Sequence, residues 1–253
     1  MSVKAWTFAA GMLAARDRQG RSLVGAVSPI YGAGMADATK SRRPLRSRNR
    51  AWAIGAAAVL ARNGVSPNAI SLASILFAAV AALALVAGRG AGDALHAVLM
   101  LVAAAGIQLR LLCNLLDGLV AVEGGRGSKS GEVFNDAPDR AADAILFVAA
   151  GYALPWPAWG SALGWSAALL AVLTACVRLL GGALGRPQDF AGPMAKQHRM
   201  AALTIACLAA IAEALLFDSR GRVLAVGLAV IVLGSALTIA RRLVRLVRAL
   251  EAA

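Results

Sequence analysis

Acidic residues, histidine and cysteine are all scarce in this chain, which has 13 Asp and Glu, two His and three Cys among its 253 residues. The cysteines have no C-x-x-C partner and lie in apolar stretches, so we expect neither a disulfide framework nor a structural zinc site. The histidines have no second His or Cys at ligand spacing. Zinc chemistry is therefore not expected.

Basic residues outnumber acidic ones, with 26 Lys and Arg and a formal net charge of +13. They lie in short clusters between apolar segments, and the sequence has no zinc-finger spacing, RNA-binding signature or basic reading helix. We therefore expect no nucleic-acid partner.

Apolar residues make up 59% of the sequence. Six apolar stretches reach the length of about 20 residues that crosses a bilayer. They are residues 68 to 87, 94 to 121, 137 to 154, 161 to 182, 200 to 217 and 223 to 240. Lipid offers backbone groups no hydrogen-bond partner, so each stretch should be helical. The predicted fold is an all-α integral membrane protein with six transmembrane helices.

The chain divides into two parts. We interpret residues 1 to 40 as a mobile N-terminal extension and residues 41 to 253 as one membrane domain. Within the latter, residues 46 to 64 have flanking arginines and an apolar face, which predicts an interfacial helix held by anionic lipid headgroups. Pro67 then ends that helix, and Ser66 or Asn68 can cap the first span.

Lys and Arg are distributed unevenly between the two ends of the predicted spans. One set of ends holds only Arg89, Arg220 and Arg222, whereas the other set holds the remaining basic clusters. Positive residues stay inside, so both termini and residues 114 to 143 should face the cytoplasm. The arginines of the C-terminal segment, residues 240 to 253, are expected to reach the lipid headgroups.

Polar residues form one stripe on each of the second and third predicted spans, because helical residues three and four apart share a face. These residues are Arg110, Asn114, Asp117 and Ala121 in the second span, and Asn135, Asp139 and Asp143 in the third. The glycine-rich linker between the two spans predicts an antiparallel hairpin, which lets the stripes face each other. Ionisable residues inside spans indicate function, and carboxylate and amide oxygens are ligands for hard divalent cations.

A purely structural interpretation of the acidic residues stays open. Asp136 is four residues before Arg140, and Arg110 can reach Asp143 across the helix pair. Some of the acidic residues would then form ion pairs only.

The segment from Asp117 to Asp139 reads D-G-x-x-A-V-x8-G-x3-N-x3-D. It resembles the signature of the CDP-alcohol phosphatidyltransferase family, D-x-x-D-G-x-x-A-R-x8-G-x3-D-x3-D. The resemblance extends over residues 65 to 240, since this family also has six helices and a cytoplasmic interfacial helix.

The resemblance implies transfer of a phosphatidyl-type group from a CDP-activated lipid, such as CDP-diacylglycerol, to a hydroxyl acceptor with release of CMP. The resemblance allows both a phosphorylated and an unphosphorylated alcohol as the acceptor. One or two Mg2+ or Mn2+ ions would be the cofactor. The implied context is phospholipid biosynthesis in the bacterial inner membrane, by a homodimer whose active site faces the cytoplasm.

By resemblance, Asp139 is the general base and Asp117 is the second catalytic carboxylate. The residues at the four aspartate positions would be the metal ligands: Asn114, Asp117, Asn135 and Asp139. Three small residues would leave room for the cytidine and diphosphate: Gly118, Ala121 and Gly131.

Charged side chains near the two stripes are further candidates for substrate binding. They are Asp136, Asp143, Arg178, Lys196 and Arg199. Cations near the site suit a phosphorylated acceptor or the lipid phosphate. Contacts with anionic headgroups would also explain the basic ones.

The sequence departs from the family signature at Asn114, Asn135 and Val122, where aspartate, aspartate and arginine are usual. Three outcomes follow for the site. One ion is held by two Asp and two Asn, or two ions recruit Asp136, Glu123 or Asp143, or the protein binds CDP-lipid without catalysis.

The segment N-D-A-P-D-R-A-A-D, residues 135 to 143, also resembles the first diphosphate-binding motif of UbiA-type intramembrane prenyltransferases. These enzymes need a second acidic motif downstream. The few acidic residues after position 143 have no paired spacing, so a prenyl diphosphate donor is the less favoured alternative.

Overall fold

The structure is a computed structural model, and it describes residues 51 to 123, 131 to 217 and 219 to 252. Within these ranges, the side chains of residues 122, 123, 131, 132, 134 and 135 are outside the description. The predicted mobile extension, residues 1 to 40, and the start of the predicted interfacial helix lie outside the described residues.

The described residues form seven α-helices and no strand, which confirms the all-α prediction. The helices are α1 (Ala51–Arg62), α2 (Pro67–Gly88), α3 (Asp93–Glu123), α4 (Gly131–Tyr152), α5 (Pro157–Ala183), α6 (Lys196–Phe217) and α7 (Arg222–Glu251). The short helix α1 matches the part of the predicted interfacial helix that the structure describes.

Five of the helices, α2, α3, α5, α6 and α7, are long and apolar enough to cross a membrane. The chain is therefore a multi-pass membrane protein. The remaining predicted span corresponds to α4, which forms a helix of 22 residues but carries Asp136, Asp139, Arg140 and Asp143 in its sequence. Because of these charged residues, α4 is not among the helices apolar enough to cross a membrane. A sixth crossing therefore stays a prediction.

Helix α2 organises the half of the bundle that contains the two polar stripes. Both α3 and α4 pack closely on α2, whereas they make little contact with each other. Helix α6 packs on α3 and α7, α5 packs on α4 and α7, and α1 packs on α3. The facing sides of α3 and α4 are therefore bridged by polar side chains rather than by close backbone packing.

The start of α2 follows the predicted cap. Ser66 is extended and its side chain accepts a hydrogen bond from the Ala69 N–H at 3.2 Å, while Pro67 takes the first helical position. A proline is favourable there because that position has no intrahelical N–H bond to lose.

At the opposite end of the bundle, the buried Glu213 of α6 caps α7. Its carboxylate accepts hydrogen bonds from the N–H groups of Arg222 and Val223 at 2.9 and 3.1 Å and from the Ser219 hydroxyl at 3.2 Å. Gly221 permits the tight connection because its φ of 89° is left-handed. The sequence had predicted no role for Glu213.

Three glycines bring α4 and α5 into close backbone contact. A Cβ added to Gly151 of α4 would meet the Gly160 carbonyl oxygen and the Gly164 backbone of α5. Small residues are what allow such close approach in membrane bundles.

We expect Gly151→Ala to destabilise the protein by about 1–3 kcal/mol, because the new methyl group forces backbone against backbone. The measurement is thermal unfolding of the purified protein in detergent. Gly55→Ala in α1 is the matched control, since no described atom lies within 4 Å of the added Cβ. Equal melting temperatures for the two variants would contradict the predicted contact.

Candidate active site between α3 and α4

Asp117 is buried on α3, with 4% of its surface exposed. Its Oδ2 accepts a hydrogen bond of 2.6 Å from the Ser71 hydroxyl of α2. Its Oδ1 is also buried and has no hydrogen-bond partner among the described residues. Ser71 thus holds the Asp117 carboxylate through Oδ2 and leaves Oδ1 without a hydrogen bond.

Asp139 is buried on α4, with 7% of its surface exposed. Its Oδ2 is paired with the ammonium group of Lys196, the first residue of α6. Its Oδ1 accepts no hydrogen bond from the described part of the chain, although Arg110 Nη2 lies 3.5 Å away. We refer to Asp117 Oδ1 and Asp139 Oδ1 as the two open oxygens, open with respect to the described residues.

The other predicted ligand and substrate positions lie on the same two helices. Asn114 is half-buried one turn before Asp117, and its amide nitrogen has no partner within the described ranges. Gly118 and Ala121 are half-buried farther along α3. Asn135 and Gly131 belong to α4, but the description does not extend to their surroundings.

Asp143 is the centre of a buried ion network. Its Oδ1 accepts a bond from Arg110 at 2.5 Å, and its Oδ2 accepts one from Arg199 at 3.1 Å. Arg110 is fully buried on α3, and Arg199 is buried on α6. Asp143 therefore joins α3, α4 and α6, and the predicted ion pair with Arg110 is confirmed.

The network has further backbone and side-chain anchors. Arg110 also donates to the Asp139 carbonyl oxygen at 3.2 Å, and Arg199 donates to the Met194 carbonyl oxygen at 2.9 Å and the Thr174 hydroxyl at 3.0 Å. Because both carboxylate oxygens of Asp143 are engaged, its side chain serves the architecture of the site instead of offering an oxygen to a metal or substrate.

Asp136 lies one turn before Arg140, on the more exposed side of α4, and the predicted pair between them is present at 3.0 Å. Its carboxylate also accepts bonds of 3.0 and 3.2 Å from Arg178 of α5. The Arg178 guanidinium lies over the Phe190 ring, 5.1 Å from its centroid. Arg178 therefore lies beside the site, between the Asp136 carboxylate and the Phe190 ring.

Arg242 corrects one expectation from the sequence. The C-terminal arginines were expected to reach lipid headgroups, but Arg242 is buried and donates to the carbonyl oxygens of Ala191 and Thr174 at 3.0 and 2.7 Å. Ser71 was also missed. It lies 46 residues from Asp117, and nothing in the local sequence signals their hydrogen bond.

The fit of a divalent cation rests on the two open oxygens. Buried carboxylate oxygens that accept no hydrogen bond are suitable donors for Mg2+ or Mn2+. Asp139 Oδ1 also has the Arg110 guanidinium 3.5 Å away. In the described part of the chain, no group of three or more His, Cys, Asp or Glu side chains is arranged to hold a metal ion. Among the described residues, the two open oxygens are therefore the carboxylate atoms that fit such an ion.

Comparisons with known proteins give a likeness in structure only. No family model matches the sequence, and no curated protein matches it. Among solved structures, the phosphatidylinositol phosphate synthase of Mycobacterium tuberculosis in complex with manganese and citrate has a TM-score of 0.63 at 18% identity, over 77% of this chain and 88% of that chain. The chain has the fold of this synthase.

Two further structures of the same synthase agree. The form with CDP-DAG bound has a TM-score of 0.62 at 19% identity, over 77% of this chain and 92% of that chain. The apo form has a TM-score of 0.59 at 18% identity, over 75% and 93%. The fold expected from the sequence motif is therefore confirmed.

We expect Asp143→Ala to destabilise the protein by about 3–5 kcal/mol, because it leaves Arg110 and Arg199 as buried charges without their carboxylate. Thermal unfolding in detergent measures the effect. Asp136→Ala is the matched control on the same helix, where a more exposed pair contributes about 0–1 kcal/mol. A loss no larger for Asp143→Ala than for Asp136→Ala would contradict the architectural role of the network.

Proposed function

We propose that the protein transfers a phosphatidyl-type group from a CDP-activated lipid to a hydroxyl acceptor and releases CMP, as a step of phospholipid biosynthesis. The observation that supports this most strongly is the pair of open oxygens on Asp117 and Asp139. These two residues are the aspartates that the sequence retains from the four of the family signature. The fold shared with a synthase whose structures hold manganese or CDP-DAG adds support.

The reaction requires attack of the acceptor oxygen on the phosphorus that carries the lipid. The new O–P bond forms as the bond to the bridging oxygen of CMP breaks, and CMP leaves with that electron pair. Asp139, which stands at the general-base position of the family signature, takes the hydroxyl proton.

A divalent cation would be held by the open oxygens of Asp117 and Asp139 together with the amide oxygens of Asn114 and Asn135. When bound, Mg2+ or Mn2+ supplies charge that stabilises the diphosphate and the leaving CMP. Ser71 keeps the Asp117 carboxylate in place for this task through the bond of 2.6 Å.

The remaining residues of the site bind and position the substrates. Gly118, Ala121 and Gly131 leave space for the nucleotide next to the helices. Arg178 and Lys196 provide positive charge for the phosphate groups of the lipid and of a phosphorylated acceptor. Arg199 acts through Asp143, which it holds at 3.1 Å, and is a positioning residue.

The expected setting is the bacterial inner membrane, with the active site at the cytoplasmic leaflet. The distribution of Lys and Arg supports this orientation. We further propose that the protein is a homodimer, as the family resemblance implies.

The test is CMP release from CDP-diacylglycerol by the purified full-length protein with Mg2+ or Mn2+ and a panel of phosphorylated and unphosphorylated alcohols. We expect acceptor-dependent CMP. Asp117→Ala and Asp139→Ala should each reduce the rate by about 100-fold or more, the usual range for loss of a catalytic carboxylate. Asp93→Asn, at the opposite end of the bundle, should keep the activity.

Two results would overturn the transferase. Binding of CDP-diacylglycerol without CMP release, by protein with an intact melting transition, would indicate a non-catalytic CDP-lipid-binding protein. Absence of CDP-lipid binding combined with turnover of a prenyl diphosphate would indicate an intramembrane prenyltransferase.

A further inference from the structure

The ligand set of this chain has lost two negative charges. Asn114 and Asn135 stand where the family signature has aspartate, so the four positions carry two carboxylates. Sites for two divalent cations draw on several carboxylates, and amide oxygens bind hard cations more weakly.

No described acidic residue replaces the missing charges. Asp143 has both oxygens bonded to arginine, at 2.5 and 3.1 Å. Asp136 is bonded to Arg178 and Arg140 at 3.0 to 3.2 Å. Glu123, the remaining candidate, has a side chain outside the description. Recruitment of a described acid to a second ion would break an existing ion pair.

The charges already present around the two carboxylates balance. Asp117, Asp139 and Asp143 carry three negative charges, and the neighbouring Arg110, Lys196 and Arg199 carry three positive ones. Arg140 also lies 4.0 Å from Asp139, but its shorter ion pair, of 3.0 Å, is with Asp136. Two divalent cations would add four positive charges to a neutral, buried cluster, which is electrostatically costly. A single cation adds half of that charge.

Lys196 is placed to supply positive charge beside the remaining ion. Its ammonium group contacts Asp139 Oδ2, an oxygen of the same carboxylate that offers an open oxygen. About a quarter of its side chain is exposed, so the residue lies at the edge of the buried ion network. Lysine carries a compact point charge on a flexible stem, so its ammonium group can move from a carboxylate to a phosphate.

We propose that the site binds one divalent cation, at the open oxygens of Asp117 and Asp139, and that the Lys196 ammonium supplies the positive charge that a second cation would otherwise provide. This inference rests on the proposed function for the identity of the diphosphate ligand. It predicts that Lys196 and metal compete electrostatically, although both are needed for turnover.

The experiment measures Mn2+ binding to the full-length protein in nanodiscs that contain CDP-diacylglycerol, by equilibrium binding and electron paramagnetic resonance. We expect one Mn2+ per chain and no spectrum of two exchange-coupled ions. Lys196→Met should tighten Mn2+ binding by about tenfold, because one positive charge near the ion is removed, while CMP release falls. Lys196→Arg should restore the wild-type Mn2+ affinity.

Arg245→Met is the matched control, since it removes an exposed positive charge that is paired with Asp189 at 2.8 Å. It should leave Mn2+ affinity unchanged. The combined variant Asn114→Asp, Asn135→Asp and Lys196→Met should bind a second, exchange-coupled Mn2+.

Two Mn2+ ions per wild-type chain, no Mn2+ at all, or an unchanged affinity in a folded Lys196→Met protein would each overturn the proposal. These outcomes are separable from failure of the proposed function. One bound Mn2+ that tightens in Lys196→Met supports the one-ion site even if no acceptor releases CMP. CMP release with two bound ions would refute the one-ion site alone.

Discussion

The buried carboxylate of Asp143 is the interaction on which the candidate site depends. It receives Arg110 from α3 and Arg199 from α6, so it fixes the positions of three helices whose side chains meet at the site. A buried ion pair stabilises a protein little more than apolar packing would, but removing one partner is strongly destabilising because it leaves a buried charge unpaired. The network therefore sets where α3 and α4 stand, and it places Asp139, one turn away on α4, opposite the α3 stripe.

The polar character of the site explains the loose fit between α3 and α4. Both helices rest on α2, where small side chains such as Ala78, Ala81 and Ala82 are buried. Between α3 and α4 themselves, Arg110 forms ion pairs with Asp139 and Asp143. The proposed function would need such a polar space, because burying a diphosphate and a cation without partners for their charge would be prohibitive.

Much of the fold could be predicted from the sequence, because lipid forces long apolar stretches into helices and because Ser66 and Pro67 form a local cap signal. The facing stripes of α3 and α4 followed from helical spacing. The contacts of Asp139 with Lys196 and of Asp117 with Ser71 could not be predicted, since they join residues 57 and 46 positions apart on helices whose relative rotation depends on the whole bundle. The prediction for Arg242 was wrong because an arginine-rich helix end has the same sequence pattern whether it faces lipid headgroups or neighbouring helices.

Helix α4 has a consequence for how the protein enters the membrane. Asp and Arg each cost about 2.5–3.5 kcal/mol at the centre of an inserting helix, and α4 carries Asp136, Asp139, Arg140 and Asp143 in its own sequence. The partners of these charges come partly from α6, which is synthesised after α4 and α5. If α4 is the sixth crossing that the sequence predicts, its stable insertion is therefore coupled to later segments of the chain, and truncation before Lys196 would leave a helix that the bilayer holds poorly.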